Sequence, residues 1–99
     1  TKPIVIHCWC GVSRSMAVAT FLLCQKNILQ IEKNIRYIRS VAPHANPNKL
    51  MIKLFEKSLN VDSEITNAYI SYPHTLSYDC SINFAPITIF DFNDMKNFK

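Results

Sequence analysis

The sequence has no apolar run that can cross a bilayer. Its longest, residues 16–24, is broken by Thr20 and falls far short of the roughly 20 residues a spanning helix needs. A secretory leader is not expected either, since no short basic start, leucine-rich stretch and small-residue cleavage site occur together in these residues. Cysteines suited to pairing are scarce. Of the four, Cys8 and Cys10 stand so close that a bridge would close a tiny strained ring, so the thiols are expected to be reduced and the compartment cytoplasmic. No dense basic stripe is present. The net charge of +4, with its cations mostly between residues 26 and 57, reads as a solvated helix face rather than a nucleic-acid surface. Neither nucleic acid nor membrane is therefore an expected partner. There is no internal repeat and no low-complexity tract, and the oligomeric state is unknown from the sequence.

The residues that are present suit a packed core. Apolar residues make up 48% of the 99 and charged residues 18%, which argues against disorder and for one small domain or part of one. Residues 3–7 contain the β-branched run Ile4, Val5, Ile6 and predict a short buried strand. A tight turn over residues 8–13 follows, holding the only glycine, Gly11. Helical spacing of Ala17, Phe21 and Cys24 predicts a helix over residues 14–26. A second helix is expected over residues 30–41, with Ile31, Ile35 and Ile38 on one face and Pro43 as its stop. Asn46 and Pro47 read as the N-cap and first position of a third helix reaching about Leu59, with Met51, Leu54, Phe55, Ser58 and Leu59 facing inward.

Beyond Leu59 the pattern weakens. Asp62 is expected to cap a short helix through Ile70, and residues 86–92 alternate well enough for a strand or a packed tail. The aromatics Tyr69, Tyr72, Tyr78, Phe84, Phe90, Phe92 and Phe98 are expected to cover the core rather than stack a ligand.

The chemistry sits in residues 6–15. Cys8 and Arg14 are separated by five residues, between the expected strand and helix. Five residues can curl into a cradle whose N–H groups point inward and end on a helix N-terminus, a nest for a tetrahedral dianion. The same field favours the thiolate of Cys8 over the thiol, which makes it a nucleophile. The planar fork of Arg14 can take two oxygens of a phosphoryl group and gains most as charge spreads in the transition state. Gly11 lets the backbone turn inward without a Cβ clash. Ser15 can donate to the cysteine sulfur as it departs, and Ser13 can hold the loop or the helix start.

This segment resembles the signature of protein tyrosine and dual-specificity phosphatases, His-Cys-x5-Arg-Ser/Thr, with its glycine and serine at Gly11 and Ser13. Residues 41–48, Val-Ala-Pro-His-Ala-Asn-Pro-Asn, look like the connector of a bacterial tyrosine-phosphatase-like group. The resemblance implies an α/β fold with a mostly parallel central sheet flanked by helices. It divides the chain into a phosphate-loop and helical part, residues 1–60, and a tail, residues 61–99, packed on the same domain. It also implies that Cys8 is the nucleophile, Arg14 the phosphate ligand and Ser15 the aid to thiolate departure. His7 would orient the loop, while Trp9, Cys10, Gly11, Val12 and Ser13 would supply backbone donors to the substrate. Phosphorylated protein or another phosphomonoester is the implied partner, and no cofactor is implied.

Such phosphatases take their general acid from an aspartate on a loop ahead of the signature. The six residues ahead of His7 hold no acid, so the first part of the domain is expected to lie outside this sequence. General acid catalysis contributes about 10²–10⁴-fold, so two function classes remain open. One is a phosphomonoester hydrolase acting through a phosphocysteine; the other is a non-catalytic phosphate-binding remnant. Zinc held by His7, Cys8 and Cys10 is disfavoured, because no second ligand pair exists and adjacent strand residues face opposite ways. Cys10 is expected to be an ordinary loop side chain, although its nearness to Cys8 would let it capture an oxidised sulfur. Cys24 is expected to be an inert core thiol, and Cys80 carries no reading.

Overall fold

The computed structural model describes Ile6, residues 12–76 and residues 88–98. Five helices order these residues: α1 (Arg14–Lys26), α2 (Ile31–Val41), α3 (Lys49–Leu59), α4 (Glu64–Ser71) and α5 (Phe92–Lys96). A single 3-10 turn, Ile28–Gln30, joins the first two. Helix α1 lies against α2 and α3, and α4 closes over α2 and α3 from the other side.

Helix α2 supplies the spine. Ile35 and Ile38 are fully buried and Ile31 nearly so. Each buried isoleucine contributes roughly 1.5–3 kcal/mol, while a β-branched residue costs a helix at most about 0.7 kcal/mol relative to alanine. Packing therefore overrides propensity, and the isoleucine stripe is helical. Around it gather Ala17, Leu23 and Cys24 of α1, Ile52 of α3, Ile65 and Ala68 of α4, and Met95 of α5. Asn34 is the one fully buried amide of this core. Its Nδ2 donates to the Asn27 carbonyl at 2.8 Å and its Oδ1 accepts from Asn27 Nδ2 at 2.8 Å, so the turn after α1 is tied to α2.

The expected sheet is not found: among the described residues there is no strand, and the fold is helical. Ile6, the one described residue of the first candidate strand, lies outside any regular element. In the second candidate, residues 88–91 are irregular and Phe92 opens α5 instead. The physical cause there is local, because the Asp91 side chain accepts from Asp94 N–H at 3.0 Å and caps the helix. Extended backbone is worth little without a neighbouring strand to share its hydrogen bonds. The tail packs by its rings instead: Phe90 and Phe98 stand edge-on to Tyr37 at 6.1 and 5.7 Å, and Tyr37 Oη accepts from Asp91 N–H at 2.8 Å. Of the aromatics expected over the core, Tyr69, Phe90, Phe92 and Phe98 pack there, whereas Tyr78 and Phe84 lie outside the described residues.

Two helix starts differ from expectation. Helix α3 is capped by Asn48, whose side chain accepts from Met51 N–H at 2.9 Å, and not by Asn46. Asn46 donates its N–H to the Val12 carbonyl at 2.9 Å and so belongs to the connector. Met51, Phe55 and Leu59 pack against the core beside the buried Ile52 and Glu56, whereas Leu54, expected inside, is 58% exposed and Ser58 is exposed too. Ser63 stands at the N-cap of α4 without a side-chain cap bond, and Asp62 is exposed. The cap comes from α3: the Glu56 carboxylate accepts from Thr66 N–H at 2.8 Å and from Thr66 Oγ1 at 3.1 Å. A buried acid is acceptable there because the helix N-terminus supplies unpaired donors and a favourable dipole.

Candidate active site

The signature meets α1 at its N-terminus. His7, Cys8, Trp9, Cys10 and Gly11 lie outside the described residues, whereas Val12, Ser13, Arg14 and Ser15 lie within them. Ser13 is the N-cap residue, Arg14 the first helical residue and Ser15 the second. Arg14 is exposed and Ser15 is buried, so the arginine keeps its reach while the serine is held in the packed interior. The Ser13 side chain makes no cap bond, and the first turn of α1 carries no acid. Charge at this helix end is therefore set by the backbone donors and by Arg14.

What fixes that end in space is the connector between α2 and α3. Asn46 N–H donates to the Val12 carbonyl at 2.9 Å and Asn48 N–H to the Ser13 carbonyl at 3.2 Å. Pro47 between them has no N–H to place, so the two bonds bracket it. Beneath the bracket, Met16 of α1 is buried against Ala42 and Ala45 of the connector, with Phe90 of the tail alongside. Backbone bonds thus hold the loop side of Arg14, and apolar packing holds its helix side.

The connector is itself gathered by Arg39, near the end of α2. Its Nη1 donates to the carbonyls of Ala45 at 2.7 Å, Pro43 at 3.1 Å and Ala42 at 3.2 Å, and its Nε donates to the Tyr72 carbonyl at 2.9 Å. The last carbonyls of a helix and the turn after it lack intrahelical donors, and a guanidinium supplies several from one rigid plane. The same guanidinium lies 5.6 Å from the Tyr69 ring. Thr20 Oγ1 donates to the Met16 carbonyl at 2.7 Å, so in the 2.6 Å contact between Thr20 Oγ1 and Tyr69 Oη the tyrosine donates. Arg39, Tyr69 and Thr20 therefore link the connector to the middle of α1. Arg39 is one of the cations between residues 26 and 57 expected on a solvated face, and the structure gives it backbone partners instead. Its one available signal was position, a basic residue a turn before a helix stop at Pro43.

His44 and Cys24 are buried titratable groups outside the signature. His44, 2% exposed, has its pKa lowered, first by burial and then by the Arg39 charge, so it favours the neutral form. Burial pushes the Cys24 thiol up to about 12, against a smaller opposing effect of a hydrogen bond from Asn34. That thiol is fully buried and unsuited to nucleophilic work. Among the described residues no three His, Cys, Asp or Glu side chains gather in a metal-binding group, and no helix is long and apolar enough to cross a membrane.

Comparison with known proteins bears on residues 1–60, which match the family model described as dual specificity phosphatase, catalytic domain. A relative, the dual specificity protein phosphatase YVH1 of Plasmodium falciparum (isolate 3D7), is 36% identical over 59 residues. That stretch is 57% of this chain and 10% of the relative, so the chain spans about a tenth of that protein's length. No solved structure matches. The matched residues run from the signature through the connector to the end of α3, well over half of the 99, and the chain belongs to the dual specificity phosphatase catalytic-domain family.

Proposed function

We propose that the protein hydrolyses phosphomonoesters on phosphorylated proteins through a phosphocysteine formed at Cys8. The observation that carries this reading is the family match over residues 1–60, which spans Cys8, Arg14 and the connector together. The relative named as a dual specificity phosphatase favours phosphoprotein substrates. Further support comes from Arg14, exposed at the first position of a helix whose opening turn has no competing acid.

In the proposed reaction the Cys8 thiolate attacks phosphorus in line, and the bond from phosphorus to the leaving oxygen breaks. Arg14 and the N–H groups of residues 9–13 bind the three peripheral oxygens, whose charge is spread in the transition state. Water then attacks the phosphocysteine, the phosphorus–sulfur bond breaks, and the Ser15 hydroxyl donates to the departing thiolate. His7 orients the loop. No metal takes part.

Hydrolysis of para-nitrophenyl phosphate by wild type, Cys8→Ser and Arg14→Ala tests the reading. Cys8→Ser should remove measurable turnover, and Arg14→Ala should lower kcat/KM by about 10²–10³-fold, the scale for losing one transition-state donor. A rapidly quenched wild-type sample should carry one phosphoryl group on the peptide containing Cys8. Turnover that survives Cys8→Ser would overturn the proposal.

A further inference from the structure

Beside the connector, α3 and α4 enclose a cleft of about 350 Å³. Its walls are largely apolar, formed by Pro47, Ile52, Tyr69, Ile70 and Pro73. Ile70 is 70% exposed, so one wall stands open to an incoming group. Among the described residues the charged lining is Lys49, Lys53 and Arg39, with no carboxylate. The nearest acid on α3, Glu56, is turned inward and spent on Thr66. Lys49 and Lys53 stand four apart on one exposed face of α3 and make no ion pair among the described residues. Arg39 commits Nε and Nη1 to backbone carbonyls and adds its charge.

An apolar trough under an unneutralised cationic rim is complementary to a large apolar side chain with acids beside it. We infer that this cleft docks an acidic segment of the protein substrate, seating an aromatic or leucine side chain while neighbouring Asp or Glu residues reach Lys49 and Lys53. Two lysines are too few for the dense phosphate tracking that nucleic acid demands. The cleft shares Asn46 and Pro47 with the connector, and Asn46 N–H is bonded to Val12, two residues ahead of Arg14. A segment in the cleft thus lies next to the signature, where it would raise the local concentration of a phosphorylated residue on the same chain. The inference takes the partner's identity from the phosphatase reading, while the cleft's preference for acids stands on its own lining.

The test uses a fluorescein-labelled peptide without phosphate, in which glutamates flank one phenylalanine, titrated with the protein and read by anisotropy. Wild type should bind, more weakly as salt rises. Lys49→Glu/Lys53→Glu should weaken binding about tenfold, the scale of two rim charge pairs lost and reversed. Ile70→Asn should weaken it severalfold, and a peptide with lysines for glutamates should not bind. In turnover, the double variant should keep the kcat/KM of para-nitrophenyl phosphate and raise KM for a phosphopeptide with an acidic flank. Charge-dependent binding in a protein that hydrolyses nothing would sustain the docking site and sink the phosphatase reading instead. Equal peptide affinity in wild type and double variant would overturn the inference. So would lysine-dependent capture by phosphatidylserine vesicles with no peptide binding.

Discussion

Replacing Arg39 by alanine removes the residue that gathers the connector, and the cost can be worked from its bonds. Nε serves the Tyr72 carbonyl at 2.9 Å, and the two protons of Nη1 are shared among the carbonyls of Ala42, Pro43 and Ala45. Three donated protons at roughly 1 kcal/mol net each give about 3 kcal/mol. Partial exposure reduces that figure, while the contact with the Tyr69 ring adds about 0.5 kcal/mol. A loss of about 2–3 kcal/mol is expected. Domains of this size are stable by about 5–15 kcal/mol, so the variant should still fold, with Tm lower by roughly 10–20 °C. Arg39→Lys keeps the charge but presents its protons at one point, so it cannot serve Tyr72 and Ala45 together and should recover less than half of the loss.

Melting alone cannot tell a general loss from a detached connector; amide hydrogen exchange can. The N–H groups of Asn46 and Asn48 are the bracket on Val12 and Ser13, while Asn67 N–H bonds the Ser63 carbonyl at 2.8 Å in the first turn of α4. In Arg39→Ala, exchange at Asn46 and Asn48 should accelerate more than at Asn67. A Tm within about 3 °C of wild type, or equal acceleration at all three amides, would refute the reasoning.

Further outcomes follow from other buried groups. Glu56→Ala leaves Thr66 N–H and Oγ1 without their acceptor and should cost about 1.5–3 kcal/mol in chemical denaturation; Glu56→Gln, which keeps one carbonyl oxygen, should cost about half. The lowered pKa of His44 means the unfolded chain takes up the proton first, so its contribution is complete above the usual value near 6.5 and is lost as pH falls below it. Melting temperature should accordingly decline between about pH 7 and pH 5, and His44→Gln should flatten that decline; parallel curves would count against it. Because burial holds the Cys24 thiol near 12, iodoacetamide at neutral pH should modify Cys8 in the native protein and reach Cys24 only after denaturation. Peptide mapping that finds Cys24 labelled first would contradict both assignments.

The helices were legible where their signal is local. The α1 limits coincide with those read from spacing, and α2 begins at Ile31, one residue beyond the expected start, because an isoleucine stripe and a proline stop need no distant information. On α3, Met51, Phe55 and Leu59 pack inward as expected, while Leu54 and Ser58 are turned out for an identifiable reason. Glu56 is 5% exposed, and a pattern that counts glutamate as outward shifts the apolar face toward Leu54. Its inward position depends on the N-terminus of α4, ten residues along, which no periodicity within α3 records. The choice between Asn46 and Asn48 as cap is similar. Both residues suit the role, and the carbonyl of Val12, 34 positions away, decides it by claiming Asn46 N–H.

The same division runs through the candidate site. The five-residue spacing of Cys8 and Arg14 is readable because it is a local pattern of letters, and the family match spans it. What holds Val12 and Ser13 is not readable, because the restraints are main-chain bonds from Asn46 and Asn48, and a backbone N–H has no residue letter. Arg39 is the exception that has a letter, yet it acts on carbonyls, so nothing in its own neighbourhood names its partners. The expected sheet failed on the same ground: alternation describes a single segment, while a strand exists only beside another strand, and tail residues 88–98 found ring contacts and a helix cap closer to hand. The motif is thus legible by letter, whereas the main-chain partners that hold Val12 and Ser13 are chosen by tertiary structure. A substitution at Arg39, 25 positions from Arg14, should consequently loosen Val12 and Ser13 more than many changes within α1 itself.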